Sequence, residues 1–167
     1  ISRRNNSNIE VIKLSPWLQH FSEAFKDAHA EEFTLTINCN PDYLVSFDPD
    51  QLLQVLHNIC GNGLRYALLN NPNQAELKIT AKQHINGSIN LYLVDNGSGI
   101  SEDNQKNLFE PFFTTEHSGT GLGLYLCKEI CEANEASIRY VPNSQLTNGM
   151  GSCFCINFAK VNQEHNS

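Results

Sequence analysis

DNGSGISEDNQKNLFEPFFTTEHSGTGLGL, residues 95–124, holds five of the chain's ten glycines, at 97, 99, 119, 121 and 123. A strand-like run, INLYLV, leads into it, and a helix-like run, LGLYLCKEICEAN, leads out. Glycines cluster where backbone turns through positive φ or approaches a ligand closely. The second cluster, Gly119 to Gly123, opens a helix, and a helix N-terminus offers free N–H groups and partial positive charge to phosphate. The first cluster follows Asp95 at a strand end, where a carboxylate can accept a hydrogen bond from an amino group such as that of adenine. The stretch therefore offers one place for a base and one for phosphates, with a polar loop between. The glycines alone fit equally well with two glycine-rich turns around a surface loop. They match neither GxxxxGK[ST] nor GxGxxG.

The rest of the chain narrows the reading. Its 167 residues suit one domain with a real core, 40% hydrophobic and 17% charged. A net charge of −7 with no basic run argues against nucleic acid as a partner. No apolar run approaches the length of a membrane span, and no signal peptide is visible. Met150 is the only methionine, so the sequence reads as a piece of something longer, with membrane or sensory parts elsewhere. Of the six cysteines, Cys60, Cys127 and Cys131 fall in helical patterns and Cys153 and Cys155 in a strand pattern, and the set reads as reduced, buried thiols. A zinc site from Cys127, Cys131, Cys153 and Cys155 would lack the spacing of a ribbon or finger.

Along the chain, residues 1–14 read as a polar leader ending in an extended run, IEVIKL. Ser15-Pro16 reads as a helix start with Ser15 as N-cap. FTLTIN at 33–38 and LVSF at 44–47 read as strands. Asp48-Pro49 starts a second helix that runs to about residue 69. Leu52, Leu56, Ile59, Gly63 and Ala67 make its apolar stripe. Asn58, Asn62 and Arg65 form another stripe with Tyr66 at its edge, where a wet face would ordinarily carry Glu and Lys. Amides can complete a hydrated Mg²⁺ shell, Arg can hold phosphate, and Tyr can stack on a base. ELKITAK and INGSINLYLVD read as a hairpin with Asn86-Gly87 as its tight turn. Residues 101–118 read as a short helix and a loop expected to be mobile until ligand binds. SIRYVP and SCFCINFA read as paired closing strands, and 161–167 as a disordered tail.

HNICGNGLRY, DNGSGI, FEPFFTT and GTGLGL, in that order and spacing, resemble the N box, first glycine box, F box and second glycine box of the ATP-binding domain of bacterial sensor histidine kinases, in the superfamily shared with gyrase, Hsp90 and MutL. The likeness covers roughly residues 10–160. The run FEPFFTTEHSGTGLGLYLCKEICEAN is especially similar to kinases of the PilS type. A departure is Gly63, where the family usually has Ala, beside a second glycine at 61.

The resemblance implies an α/β two-layer sandwich over residues 15–160, a mixed sheet of about five strands with three main helices on one face. It implies ATP and Mg²⁺ as cofactors. Asp95 would receive the adenine amino group, with Gly97 and Gly99 allowing close approach and Ile100 alongside. Asn62 would ligate Mg²⁺, Asn58 would support the metal and phosphate region, and Arg65 would contact phosphate. Tyr66 would lie beside the nucleotide. Gly119, Thr120, Gly121, Leu122 and Gly123 would frame the triphosphate, and Phe109, Phe112 and Phe113 would anchor the lid. The γ-phosphoryl would pass to a histidine on a separate dimerisation domain, because none of His20, His29, His57, His84, His117 or His165 sits in an acceptor motif. A response regulator, of the sigma-54-dependent PilR type, would receive the signal. The whole protein would be a homodimer anchored in the bacterial inner membrane, with this domain in the cytoplasm. Two rivals are a hydrolase of the gyrase or Hsp90 kind, which places a Glu where this N box has Asn58, and a catalytically dead nucleotide-binding module.

Overall fold

The computed structural model describes residues 7–114, 123–142, 145–147 and 151–161. Five strands form one mixed sheet in the order β2-β4-β5-β7-β6: β2 (Thr34–Asn38), β4 (Glu76–Gln83), β5 (Ile89–Asp95), β6 (Ser137–Tyr140) and β7 (Ser152–Asn157). β2 runs parallel to β4, and the other neighbours are antiparallel. β1 (Glu10–Lys13) and β3 (Leu44–Phe47) form a separate antiparallel ribbon. The helices are α1 (Leu14–Ala28), α2 (Pro49–Asn70), the short α3 (Glu102–Gln105) and α4 (Gly123–Ala133). This is the expected two-layer sandwich, with α2 lying over β4 and β5 and touching α4, which also meets β6.

The core follows the sequence periodicities. Alternation in β4 buries Leu77, Ile79 and Ala81, and the same face of β5 buries Leu91 and Leu93. From α2, all of Leu52, Leu56, Ile59, Gly63 and Ala67 are buried. Asp48 caps α2 as expected, accepting from the backbone N–H groups of Asp50 and Gln51 at 3.0 and 3.2 Å. Phe47 of the β1–β3 ribbon meets Phe158 edge-to-face at 5.7 Å, which ties the ribbon to the same core.

Two local expectations are corrected. Ser15 is not an N-cap: α1 begins at Leu14, Lys13 occupies the cap position, and no side chain caps it. β1 runs straight into the helix, and the N–H of Leu14 donates to the carbonyl of Tyr43 at 3.1 Å, so tertiary structure satisfies one of the donors that the helix leaves without an internal partner. Pro16, in the first turn, removes another donor that had no partner to find. The β4–β5 turn is longer than Asn86-Gly87. Gly87 N–H donates to His84 O and His84 N–H to Ser88 O, both at 2.8 Å, and Gly87 alone in the turn has positive φ, +92°. Asn86 keeps negative φ and instead uses its side-chain oxygen to accept from Ser88 N–H at 2.9 Å, which a two-residue type I′ turn would not allow.

All six cysteines are free, and five of them are buried. Burial pushes the thiols of Cys60 and Cys127 up to about 12. Among the described residues no group of three or more His, Cys, Asp and Glu could hold a metal, so the four-cysteine zinc site is not formed by those residues. No described helix is long and apolar enough to cross a membrane.

Candidate nucleotide site

A cleft of about 530 Å³ opens beside α2. One wall is the α2 stripe of Asn58, Asn62, Arg65 and Tyr66, with Ile59 beneath. The loop after β5 supplies Ser98, Gly99, Ile100 and Ser101. The segment after α3 supplies Leu108, Phe113 and Thr114, and the first residues of α4, Gly123 and Leu124, close the far side. Phe154 of β7 contributes to the floor. Helical spacing at i, i+4 and i+7 sets the first three α2 residues on one face. The same helix buries the opposite stripe in the core, so the polar stripe faces the cleft and its rim.

At the α4 end, Asn58 Nδ2 donates to the carbonyl of Gly123 at 3.2 Å. A Cβ at Gly123 would stand 2.7 Å from Asn58 Oδ1, so a side chain there would push the Asn58 amide aside. Arg65 Nη2 donates to Asn62 Oδ1 at 2.8 Å on the exposed rim. Gly119, Thr120, Gly121 and Leu122 lie outside the described residues, as do His117 and the tail from residue 162.

Asp95 stands at the other end and does not itself line the cleft. It is 5% exposed, and its Oδ1 accepts from Gly97 N–H at 2.8 Å. Burial raises its pKa from 3.8 to about 6, against the opposing pull of the Gly97 and Ser152 backbone N–H groups. Four glycines crowd around it or its loop. A Cβ at Gly63 would meet Asp95 Cβ and Oδ2 at 3.2 Å, and one at Gly97 would meet Tyr66 Cβ at 2.8 Å and Asp95 Oδ1 at 2.9 Å. Gly99, at φ +83°, backs onto the carbonyl of Gly151. Gly151, at φ +87°, sits so close to the Asp95 carbonyl that a Cβ would come within 1.9 Å of it. The carboxylate is thus a buried acceptor with lone pairs beyond those taken by the backbone, next to the Gly97 turn and to Tyr66, which lines the cleft.

Phe109 and Phe113 pack against the core, and Phe109 meets Phe154 edge-to-face at 6.1 Å. Phe112 does not share that anchoring: it is 75% exposed, at φ +66°. Ser98, Ser101, Leu108, Leu124 and Phe154 also line the cleft, beyond the residues expected there. Phe154 had a signal, since it alternates in SCFCINFA with Ile156 and Phe158, both core residues. Gly151 and Ser152 carried none, because their relation to Asp95 arises only from the β5–β7 register that sets Asp95 opposite Ser152.

The residues at the cleft fit a magnesium ion only in a particular way. Among the described residues no carboxylate lines it, and Asn58 and Asn62 bring amide oxygens to it. A hard cation here would take most of its shell from phosphate oxygens and water, with an amide completing it.

The sequence pattern of the histidine kinase-, DNA gyrase B- and HSP90-like ATPase family matches residues 47–162. The chain is 38% identical over 161 residues to the sensor protein kinase PilS of Pseudomonas aeruginosa, covering 95% of this chain and 29% of that one. It is 33% identical over 134 residues to the signal transduction histidine-protein kinase BaeS of Escherichia coli, covering 76% of this chain and 28% of that one. The chain thus spans under a third of the length of these curated relatives. Among solved structures, the nucleotide-free catalytic domain of histidine kinase ThkA superposes with a TM-score of 0.74 at 24% identity, covering 92% of this chain and 96% of that one, a likeness of fold.

Proposed function

Because this chain belongs to the histidine kinase-, DNA gyrase B- and HSP90-like ATPase family, we propose that it is the ATP-binding catalytic domain, residues 15–160, of a two-component sensor kinase. In this reading it binds Mg²⁺-ATP in the cleft and hands the γ-phosphoryl to a histidine on a separate dimerisation domain. The observation that carries the proposal is that the Asn58–Asn62–Arg65–Tyr66 face of α2, the glycine loop after Asp95 and the start of α4 share one cleft.

Asp95 receives the adenine amino group, with Gly97, Gly99 and Ile100 forming the surround of the base and Tyr66 beside it. Selectivity for adenine over guanine follows, because a carboxylate accepts and cannot donate. Phe109 and Phe113 hold the lid segment to the core. Arg65 binds phosphate oxygens, and Gly123, with Gly119, Thr120, Gly121 and Leu122 ahead of it, frames the triphosphate at the opening of α4. Asn62 would hold Mg²⁺, with Asn58 in support, and the ion would supply charge neutralisation to the phosphates. The attacking imidazole nitrogen forms its bond to the γ-phosphorus as the bond to the bridging oxygen breaks, and ADP leaves with that electron pair. This chain contributes positioning and electrostatics. Asn58 supports transfer over hydrolysis: an amide cannot take a proton from water, and its Nδ2 is already engaged by Gly123 O. The partner downstream is a response regulator, of the sigma-54-dependent PilR type, and the whole protein is a homodimer anchored in the inner membrane with this domain in the cytoplasm.

The test mixes the chain with labelled ATP and the histidine-bearing domain of its parent protein and follows acid-labile label. Transfer in trans is expected, slowly, since no tether raises the effective concentration. Steady phosphate release by the chain alone would replace the kinase reading with a hydrolase. Tight ATP binding with no label on the acceptor would replace it with a nucleotide-binding module.

A further inference from the structure

Asn134 follows the last residue of α4 and is 1% exposed. Both ends of its carboxamide are engaged. Oδ1 accepts from the backbone N–H of Asp48, and Nδ2 donates to Gln51 Oε1 and to Ile130 O, each at 2.8 Å. Asp48 is the N-cap of α2, and its other carboxylate oxygen, Oδ2, accepts from the backbone N–H of Asn8 at 2.8 Å. Gln51 Oε1 also accepts from Ser7 Oγ at 2.8 Å. One buried amide therefore joins the end of α4, the start of α2 and the chain at Ser7 and Asn8. The helix end is itself closed by Ala136 N–H on Cys131 O at 2.8 Å, with Glu135 held at φ +58°. A non-glycine residue keeps that conformation only where its surroundings hold it.

At its other end α4 begins with Gly123, which lines the cleft and accepts from Asn58 of α2 at 3.2 Å. Between the two ends, buried Cys127 meets Val55 O at 3.9 Å. α4 is thus pinned to α2 at both ends over about 16 Å, and a helix of that length moves as a rod rather than bending.

We propose that Asn134 is a positioning residue that ties the cleft end of α4 to the entering chain. It locks the far end of α4 onto the cap of α2, and through Asp48 and Gln51 it makes that lock depend on where Ser7 and Asn8 sit. Displacement of the entering segment then shifts α4, and with it the Gly123 wall of the cleft. The inference rests on reading that wall as the phosphate side of an ATP site.

Two variants separate this from a merely structural role. Asn134→Ala removes the amide, and Asn8→Pro removes the N–H donor to Asp48 and constrains the backbone at Ser7 while leaving the buried amide in place. Hydrogen exchange needs no nucleotide. Both variants should speed exchange of the α4 amides at residues 126–130 by about tenfold, while β4 and β5 stay protected. Unchanged α4 protection in either variant overturns the proposal. Calorimetry with Mg²⁺-ATP and with adenosine then reads the cleft: Asn134→Ala should weaken ATP by about fivefold and adenosine by less than about twofold. Equal weakening of both would mean general destabilisation and overturn the proposal. If the unaltered chain binds neither ligand, the ATP reading fails, and the exchange result still decides whether α4 is tied to the entering chain.

Discussion

The two ends of the cleft are built by different means. At the Asp95 end the backbone does the positioning: Gly97 N–H holds the carboxylate at 2.8 Å, Gly97 and Gly151 approach too closely to admit a side chain, and a Cβ at Gly63 would press on Asp95 at 3.2 Å. At the Gly123 end side chains do it: Asn58, Asn62 and Arg65 project from one helix and bond to one another or to the start of α4. A site made of backbone is inseparable from the fold around it, whereas a stripe on a helix can be altered without disturbing the core behind it. Substitutions of the glycines at the first end should therefore register in stability as well as binding, and those of the side chains at the second in binding alone.

The largest effect is expected at Gly151. A Cβ there would fall 1.9 Å from the Asp95 carbonyl, in a backbone conformation with φ +87°, so Gly151→Ala should cost about 3 kcal/mol or more. Thermal unfolding should show a Tm lower by roughly 6–12 °C; an unaltered Tm would mean the Asp95 end is not backbone-built.

Asp95→Asn should divide the two readouts. It replaces a charged acceptor by an amide able to turn a donor toward adenine, and should weaken ATP by about 2–3 kcal/mol, tens- to hundreds-fold. Removing a buried charge should leave Tm unchanged or higher. Calorimetry and thermal unfolding on one preparation test both.

The same carboxyl sets a pH dependence. Its folded pKa, about 6, is above the ordinary 3.8, so between those values the folded state binds more protons than the unfolded one. This group's contribution to stability therefore falls as pH rises from about 4 to 6, and the full burial cost is present above that range. Nucleotide binding needs the ionised form and should move oppositely, weakening by about tenfold between pH 7 and pH 5. A titration of ATP affinity that is flat across this range would detach Asp95 from the base.

At the other end, Asn62→Ala should lower ATP affinity by about fivefold in Mg²⁺ and hardly at all in EDTA, with Tm held within about 1 °C. The smallest effects come from two glycines in the same turn of α2. Gly61 has nothing within 4 Å of a Cβ, so Gly61→Ala should stabilise by about 0.5–1 kcal/mol and leave ATP affinity alone. Gly63→Ala gains the same helix propensity but presses on Asp95 at 3.2 Å. It should stabilise less and change ATP affinity, and identical behaviour of the pair would mean Asp95 can move freely.

Much of this architecture could be read along the chain. The apolar stripe of α2, its Asp48 cap, the alternation of β4 and β5 and the Asn58–Asn62–Arg65 face each depend on residues within two turns or a few pleats of one another. Periodicity and capping act over that range, so local sequence specifies them. Ser15 misled because capping is only one way to satisfy a helix's first N–H groups, and here a carbonyl 29 positions away, at Tyr43, serves Leu14 instead. Asn86 misled because Asn-Gly also suits a longer turn in which only the glycine has positive φ.

Tertiary structure alone brought Ser152 opposite Asp95, set β2 parallel to β4, separated β3 from the main sheet to pair with β1, and joined Asn134 to Asp48. These are agreements between distant segments. Sheet register and helix docking are chosen by how well whole apolar faces close on one another, and a backbone N–H that will end on a buried carboxylate looks, in the sequence, like any other. The residue types suited to a nucleotide were visible beforehand. The burial that raises Asp95, and the anchoring of α4 at both its ends, exist only once those faces have met.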